Sequence, residues 1–180
     1  MGDQARRYVL TGAPGAGKTT ILEQLRLRGH HVVAEVATEM IARRQADGCD
    51  EPWTRDDFLD LVATEQGRRQ RAQPPAKVQV YDRSPLCTLA LARYQKRPVT
   101  AALAEEVKRA IRDAIYQRQV FLIGPLGFVT RTATRRISLA EALVFARTHE
   151  QVYREHGYEL VVVPPGPVGD RVALVESHLR

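Results

Sequence analysis

The sequence predicts an α/β fold with a mainly parallel, five-stranded sheet that is covered by helices on both faces. Two observations support this fold class: short apolar runs alternate with longer stretches of helical apolar spacing, and a glycine-rich stretch separates the first run from the first helical pattern. The runs that we expect to form strands, the fourth together with its exit, are residues 8–11, 30–36, 77–84, 119–127 and 158–165.

The stretches between these runs have helical patterns with recognisable ends. Gly29 and Gly157 each follow such a pattern and fit the left-handed residue that ends a helix. Two short patterns fit capping boxes at helix starts: Thr54 with Asp57, and Ser138 with Glu141. Helices are expected over residues 18–28, 37–46, 55–71, 85–95, 100–117 and 139–156, with a last one from about Val168.

Length and composition limit the classes of protein that fit. Residues 1–180 are expected to form a single domain, because no linker, internal repeat or low-complexity segment divides them. No apolar run approaches the ~18 residues of a membrane helix, and no signal peptide precedes the first strand. Cys49 and Cys87 lack the spacing of metal ligands and are expected to be reduced thiols, so we expect a cytoplasmic protein.

The net charge is +6 and comes mainly from arginine. Nucleic-acid binding would favour basic residues interleaved with exposed aromatic ones, and only 6% of the residues are aromatic. The basic run RRQR at residues 68–71 fits the solvated face of a helix. The composition therefore argues against a nucleic-acid partner, and it is compatible with a homodimer.

Residues 12–19, GAPGAGKT, match the pattern G-x-x-x-x-G-K-[ST] between the first strand and the first helix. Glycines let backbone N–H groups turn towards an anion, and the helix that begins near Lys18 adds its dipole. A glycine-rich surface turn would not explain the strand before and the helix after. The sequence therefore predicts a P-loop NTPase fold of the nucleoside- and nucleotide-kinase kind. Its phosphate loop comprises Gly12, Ala13, Pro14, Gly15, Ala16, Gly17, Lys18, Thr19 and Thr20.

Within this loop, Lys18 is expected to contact the β- and γ-phosphates, and the Thr19 hydroxyl is expected to bind Mg²⁺. Asp82 ends the run VQVYD and is predicted to be the second ligand on the metal side. An aspartate that only begins a turn is the alternative. The chain has no asparagine and no guanine-binding Asn/Thr-Lys-x-Asp motif. ATP is therefore the expected nucleotide, with the adenine bound by residues 164–171.

A phosphoryl acceptor needs a base and a binding pocket. Glu35 follows the second strand, whose end faces the cleft in such sheets, so it is the candidate general base. A surface carboxylate in the first turn of a helix is the alternative. Arg83 and Gln66 are candidates for acceptor binding, whereas Trp53 fits packing better than stacking on a ligand ring.

Residues 130–136, TRTATRR, offer three arginines between the fourth strand and a long helix. Arg131 and Arg135, with Arg136 beside them, are predicted to form a short lid that neutralises charge during phosphoryl transfer. A solvated basic loop is the alternative.

Four stretches carry a resemblance to a known family: GAPGAGKTT, VVAEVATEMI, VYDRSPLCTLALARY and RRISLAEALVFARTHEQVYREHGYELVVVPPGPVGDRV. Together they resemble the small bacterial AAA-type ATPase/kinase family related to the nicotinamide riboside kinase domain, over nearly the whole chain. The chain is also similar to the deoxynucleoside kinases, with Asp82 where those have glutamate. The resemblance implies that Glu35 lies near the acceptor, that Asp82 and Arg83 serve metal and substrate, and that Arg131 and Arg135 form the lid.

Two functions remain open from the sequence. The first is an ATP- and Mg²⁺-dependent kinase of a small hydroxylated molecule, for which a nucleoside-like compound and an antibiotic are both compatible acceptors. The second is a regulatory ATPase or nucleotide-binding switch that acts on a protein partner. An acceptor pocket distinguishes them, because a switch needs neither Glu35 nor an arginine lid.

Overall fold

The computed structural model describes residues 5–126 and 138–179, which form five strands and seven helices. The strands are β1 (Arg6–Thr11), β2 (His31–Val33), β3 (Val78–Asp82), β4 (Gln119–Ile123) and β5 (Glu159–Val163). The helices are α1 (Lys18–Leu27), α2 (Val36–Ala46), α3 (Phe58–Arg71), α4 (Pro85–Tyr94), α5 (Ala101–Arg112), α6 (Leu139–Glu155) and α7 (Val168–His178).

The five strands form one parallel sheet in the order β2-β3-β1-β4-β5, which confirms the predicted fold class. Leu10 of β1 lies opposite Asp82 of β3, and Thr11 lies opposite Leu122 of β4. The carboxyl ends of the central strands are therefore level. Because parallel strands all exit at the same edge of a sheet, the loops after β1, β2 and β3 meet there.

Helices cover both faces of the sheet. Along β1, Val9 packs into one core cluster with side chains of α3, α4, α5 and α6. Its neighbours Tyr8 and Leu10 point the other way, into a second cluster with α1 and α7. This alternation follows from the two-residue period of a strand. No helix in the described part of the chain is both long and apolar enough to cross a membrane.

Several predicted helix ends are confirmed. Gly29 and Gly157 have φ values of +90° and +79°, as expected for left-handed residues after a helix. Ser138 and Glu141 form the predicted capping box, in which each accepts a hydrogen bond from the backbone N–H of the other. The helix expected over residues 100–117 ends earlier, at Arg112, because the chain turns through a left-handed residue at Ala114.

The predicted capping box at Thr54 is wrong. Pro52–Thr54 form a short 3-10 turn, and the Thr54 hydroxyl donates to the carbonyl O of Glu51 at 2.7 Å. This local bond uses the side chain that would have capped the helix. Helix α3 begins at Phe58 instead, and Asp57 precedes it without a side-chain capping bond.

The core under α1 predicts a contrast between two leucines of that helix. Leu25 is fully buried and Leu27 is 67% exposed. Leu25→Ala should lower the free energy of unfolding by about 2–5 kcal/mol, because it removes buried apolar atoms and leaves a cavity. Leu27→Ala, the matched control, should change it by less than about 0.5 kcal/mol. Urea denaturation of both variants measures this, and equal losses would contradict the packing of α1 described above.

Candidate functional site

The phosphate loop leaves β1 at Gly12 and enters α1 at Lys18. Gly12 has φ of +125°, and a Cβ there would lie 2.6 Å from the carbonyl O of Ile123, so no side chain fits. Gly17 precedes the helix in a left-handed conformation. The first turn of α1 has N–H groups without helical partners, and these together with the helix dipole favour an anion at the mouth of the loop.

Lys18 is buried at the start of α1. Its ammonium donates to the carbonyl O atoms of Gly12 and Ala13, at 3.1 and 2.8 Å. Burial, followed by the nearby charge of Arg83, lowers the pKa of Lys18 to about 8 against the opposing pull of two carboxylates. Lys18 is therefore a cation at neutral pH that releases its proton more readily than an exposed lysine.

Thr19 and Asp82 lie side by side at the ends of the loop and of β3. The Thr19 hydroxyl donates to Asp82 Oδ2 at 3.5 Å, and Asp82 Oδ1 is buried without a hydrogen-bond partner among the described residues. Burial raises the pKa of Asp82, while the charge of Lys18 opposes this. A hydroxyl beside a buried carboxylate with a free oxygen suits Mg²⁺, which uses few protein oxygens alongside phosphate and water.

Glu35 lies at the N-cap position of α2. The preceding strand β2 ends at Val33 and is shorter than predicted. Its carboxylate accepts a hydrogen bond from Arg83 Nε and another from the Thr38 hydroxyl, the latter at 2.7 Å. Burial opposes the charge, but Arg83 and then Lys18 outweigh it, so the pKa of Glu35 is lowered. Glu35 is therefore ionised at neutral pH.

Arg83 is held in an unusual backbone conformation. Its φ is +76°, which costs a residue with a side chain about 1–2 kcal/mol. The side chain compensates with contacts beyond Glu35: Nη1 donates to His149 Nε2 at 3.2 Å and to the carbonyl O of Gly12 at 3.4 Å. Such strain persists where the surroundings fix the residue, and it is concentrated at functional sites.

One cavity of about 820 Å³ contains both the phosphate loop and a chamber lined by rings. At one end lie Lys18, Thr19, Glu35 and Arg83. The other end is bounded by α2, α3, α4 and α6, and its larger apolar side chains are Ile41, Trp53, Phe58, Val62, Leu91, Tyr94 and Phe145. The volume falls within the range of about 300–1,000 Å³ that is typical of small-molecule sites.

Gln66 lies in the wall of this chamber and is mostly buried. Its amide O accepts a hydrogen bond from the Thr88 hydroxyl at 2.9 Å. This contact fixes the amide plane, so the NH₂ group is the half of the side chain that remains for a ligand.

Most of the predicted site residues come together around the cavity. Trp53 packs against the core, as expected, and also lines the cavity. Glu39, one turn after Glu35, turns away and pairs with Arg69 at 2.7 Å. The predicted lid residues Arg131, Arg135 and Arg136 lie outside the described residues, so the lid stays a prediction.

Sequence reasoning missed two residues at the site. His149 of α6 is fully buried and contacts Arg83. Arg171 of α7 is also buried: its Nη2 donates to the carbonyl O of Gly124 at 2.9 Å, and its Nη1 is 2.9 Å from where a Cβ of Gly17 would stand. Both residues lie in the long stretch that carries the family resemblance, and Arg171 also ends the segment expected to bind adenine. Neither signal assigned them a contact at the site.

Comparisons with solved structures agree with the fold. Deoxyadenosine kinase from M. mycoides with bound dATP is 15% identical, with a TM-score of 0.60 over 95% of this chain and 97% of that chain. NadR protein in complex with NAD and AMP-PNP is 16% identical, with a TM-score of 0.66 over 97% of this chain and 49% of that chain. This chain therefore spans about half the length of NadR. At such identities the likeness concerns the fold alone.

No curated protein sequence matches this chain. A family model described as an AAA domain matches residues 7–171. The match runs from β1 into α7 and so includes the phosphate loop, Glu35, Asp82 and Arg83. It confirms the resemblance to the AAA-type P-loop family that the sequence motifs indicated, and because it extends over most of the sequence, the protein belongs to this AAA-domain family.

Proposed function

We propose that the protein is a kinase that transfers the γ-phosphoryl group of ATP, with Mg²⁺, to a hydroxyl group of a small molecule carrying a planar ring. The observation that supports this most is the shared cavity: the phosphate loop, the Glu35–Arg83 pair and the ring-lined chamber open into one space of about 820 Å³. We expect that space to hold a triphosphate tail and an acceptor together.

The donor end is built from the phosphate loop. Its N–H groups and Lys18 bind the phosphates, and Thr19 and Asp82 would hold Mg²⁺. When bound, the metal neutralises charge on the β- and γ-phosphate oxygens. ATP is the proposed donor because the chain has no guanine-binding motif. Residues 164–170, which belong to the segment expected to bind adenine, are exposed and therefore accessible to a base.

At the acceptor end, Glu35 takes the proton from the attacking hydroxyl. Phosphoryl transfer depends mainly on positioning and electrostatics, so a carboxylate of low basicity suffices if it holds the hydroxyl in line. Arg83 keeps Glu35 ionised and in place. Its remaining N–H groups suit a hydroxyl or phosphate oxygen of the acceptor.

The chamber suggests the class of acceptor. Trp53, Phe58, Tyr94 and Phe145 line it, and such rings favour a flat partner by stacking or edge contacts. The Gln66 amide can donate to a substituent of that ring. The neighbours with this fold include a deoxyadenosine kinase and a NadR protein in complex with NR. A nucleoside-like acceptor is therefore the first choice, with hydroxylated antibiotics as the second class.

An acceptor screen tests the proposal. The protein is incubated with ATP and Mg²⁺ and with nucleosides, other ring-bearing ribosides or hydroxylated antibiotics, while ADP release is followed and products are identified by mass spectrometry. At least one acceptor should accelerate ADP release and carry an added phosphoryl group. ADP release that no acceptor accelerates, but that a protein partner does, would favour the regulatory ATPase instead.

The pKa of Lys18 predicts that nucleotide binding weakens at alkaline pH. Phosphates bind the ammonium form, which exists below about pH 8, so affinity is lost as the pH rises through that value. The charged fraction falls about tenfold between pH 7 and pH 9, and the affinity for ATP should fall by about as much. Calorimetric titration in EDTA measures this without metal. Lys18→Met, which carries no titrating group, should bind weakly at both pH values and lack this dependence.

Replacing Glu35 separates catalysis from nucleotide binding. Glu35→Gln should lower kcat by about 10²–10⁴-fold, the usual contribution of a general base, while the affinity for ATP changes little. Glu39→Gln is the matched control, since Glu39 lies on the same helix and is 66% exposed. Equal kcat values in the two variants would exclude Glu35 as the base.

The predicted lid gives a further test. Arg131→Ala or Arg135→Ala should each lower kcat by about 10²-fold with little change in ATP affinity, if these arginines bind charge that develops only during transfer. Lysine should not restore activity, because an ammonium lacks the planar two-point contact. Arg154→Ala, an exposed arginine of α6, is the control. Full activity of the double alanine variant would remove the lid from the mechanism.

A further inference from the structure

A buried histidine joins α6 to the Glu35–Arg83 pair. His149 is fully buried, and its Nδ1 lies 2.9 Å from the carbonyl O of Phe145 one turn earlier. A carbonyl can only accept, so the hydrogen is on Nδ1 and Nε2 keeps its lone pair. That lone pair faces Arg83 Nη1 at 3.2 Å and accepts its hydrogen bond.

The contacts of Arg83 leave the Nη2 group of its guanidinium free. Nε donates to Glu35, and Nη1 donates to His149 and to the carbonyl O of Gly12. The two hydrogens of Nη2 have no partner within residues 5–126 and 138–179, and Arg83 lines the cavity. A guanidinium is planar, so fixing Nε and Nη1 also fixes the direction of Nη2.

The hydrogen-bond acceptor for Arg83 Nη1 is a neutral imidazole, and this affects the charge around Arg83. A carboxylate in place of His149 would compete with Glu35 for Arg83 and would add negative charge near a phosphate site. Burial, followed by the charge of Arg83, lowers the pKa of His149 well below its usual value, so the imidazole stays neutral. Arg83 therefore keeps its charge for Glu35 and for a ligand.

We propose that His149 is a positioning residue, which holds the Arg83 guanidinium so that Nε stays on Glu35 and the free Nη2 group faces the phosphoryl acceptor. The effect of His149 on turnover rests on the proposed kinase function. Its effect on Glu35 does not depend on what the protein phosphorylates.

The test compares two variants of His149 with one of His156, the C-cap residue of α6. His149→Phe keeps a ring beside Phe145, whose ring centroid is 4.3 Å away, but removes the nitrogen that accepts the hydrogen bond from Arg83. His149→Gln restores an acceptor oxygen that does not titrate. His156→Phe is the matched control, because His156 makes the same contact with a carbonyl four residues earlier, at 2.7 Å from Val152, without reaching Arg83.

The first readout is the titration of the Glu35 carboxyl carbon by NMR, assigned by its absence in the Glu35→Gln variant. The charged groups near Glu35 are Arg83, Lys18 and Asp82, and none of them is changed. When Arg83 is no longer fixed it should hold the pKa of Glu35 down less. The Glu35 titration should therefore move to higher pH in His149→Phe and stay at the original pH in His149→Gln and His156→Phe.

The second readout is steady-state kinetics with an acceptor from the screen. His149→Phe should lower kcat/KM for the acceptor by about 10- to 100-fold, the size expected for a lost hydrogen bond to a charged group, while ATP affinity is kept. His149→Gln should recover most of this activity, and the acid limb of the pH profile should follow the Glu35 titration.

An unchanged Glu35 titration in a folded His149→Phe protein would overturn the proposal, whatever its activity. If that variant does not fold, His149→Met provides the same test with a flexible side chain. A shifted titration in a protein that phosphorylates nothing would support the positioning role and refute only the kinase function.

Discussion

Four charged groups at the phosphate end of the cavity constrain the structure around them; Lys18 and Asp82 are buried, and Arg83 and Glu35 are half-buried. Lys18 and Arg83 are positive, while Glu35 and Asp82 are acidic, and each has an opposite charge nearby. An isolated ion in a protein interior costs several kcal/mol, so the buried Lys18 and Asp82 depend on the opposite charges beside them to remain ionised there. With both carboxyl groups ionised, the set carries no net charge. Under the proposed function, a bound triphosphate would add negative charge here, which a divalent cation would offset.

The sheet register is what brings these charges together. Because Leu10 pairs with Asp82 across parallel strands, the loop after β1 and the residues after β3 begin at the same level. Arg83 then has to turn back sharply over the loop, which accounts for its left-handed φ and for its contact with the carbonyl O of Gly12. The backbone strain is thus a consequence of placing a guanidinium over a phosphate loop, and it is tolerated because the side chain is tied at three points.

The fold, the phosphate loop and the position of Glu35 could be predicted because the sequence patterns that indicate them are local. A motif of fixed spacing between a strand and a helix identifies the phosphate loop. Because the strands are parallel, a residue that follows β2, such as Glu35, lies at the same edge of the sheet as this loop, even though β2 is shorter than predicted. The capping box predicted at Thr54 was wrong because Thr54 itself ends a 3-10 turn, in which its hydroxyl donates to the carbonyl O of Glu51. The contact between His149 and Arg83 could not be predicted, since the two residues are 66 positions apart and only the packing of α6 brings them together.

Side chains of helix α6 hold the segment that follows β3 in place through hydrogen bonds. His149 and Tyr153 are four residues apart and so lie on the same face of the helix. His149 contacts Arg83, while the Tyr153 hydroxyl bonds Ser84 Oγ at 2.7 Å and lies 3.2 Å from Cys87 Sγ. Both partners of Tyr153 are buried, so these polar contacts are costly to break. A rigid helix held at two successive turns cannot shift without moving Arg83, and through Arg83 it would move Glu35.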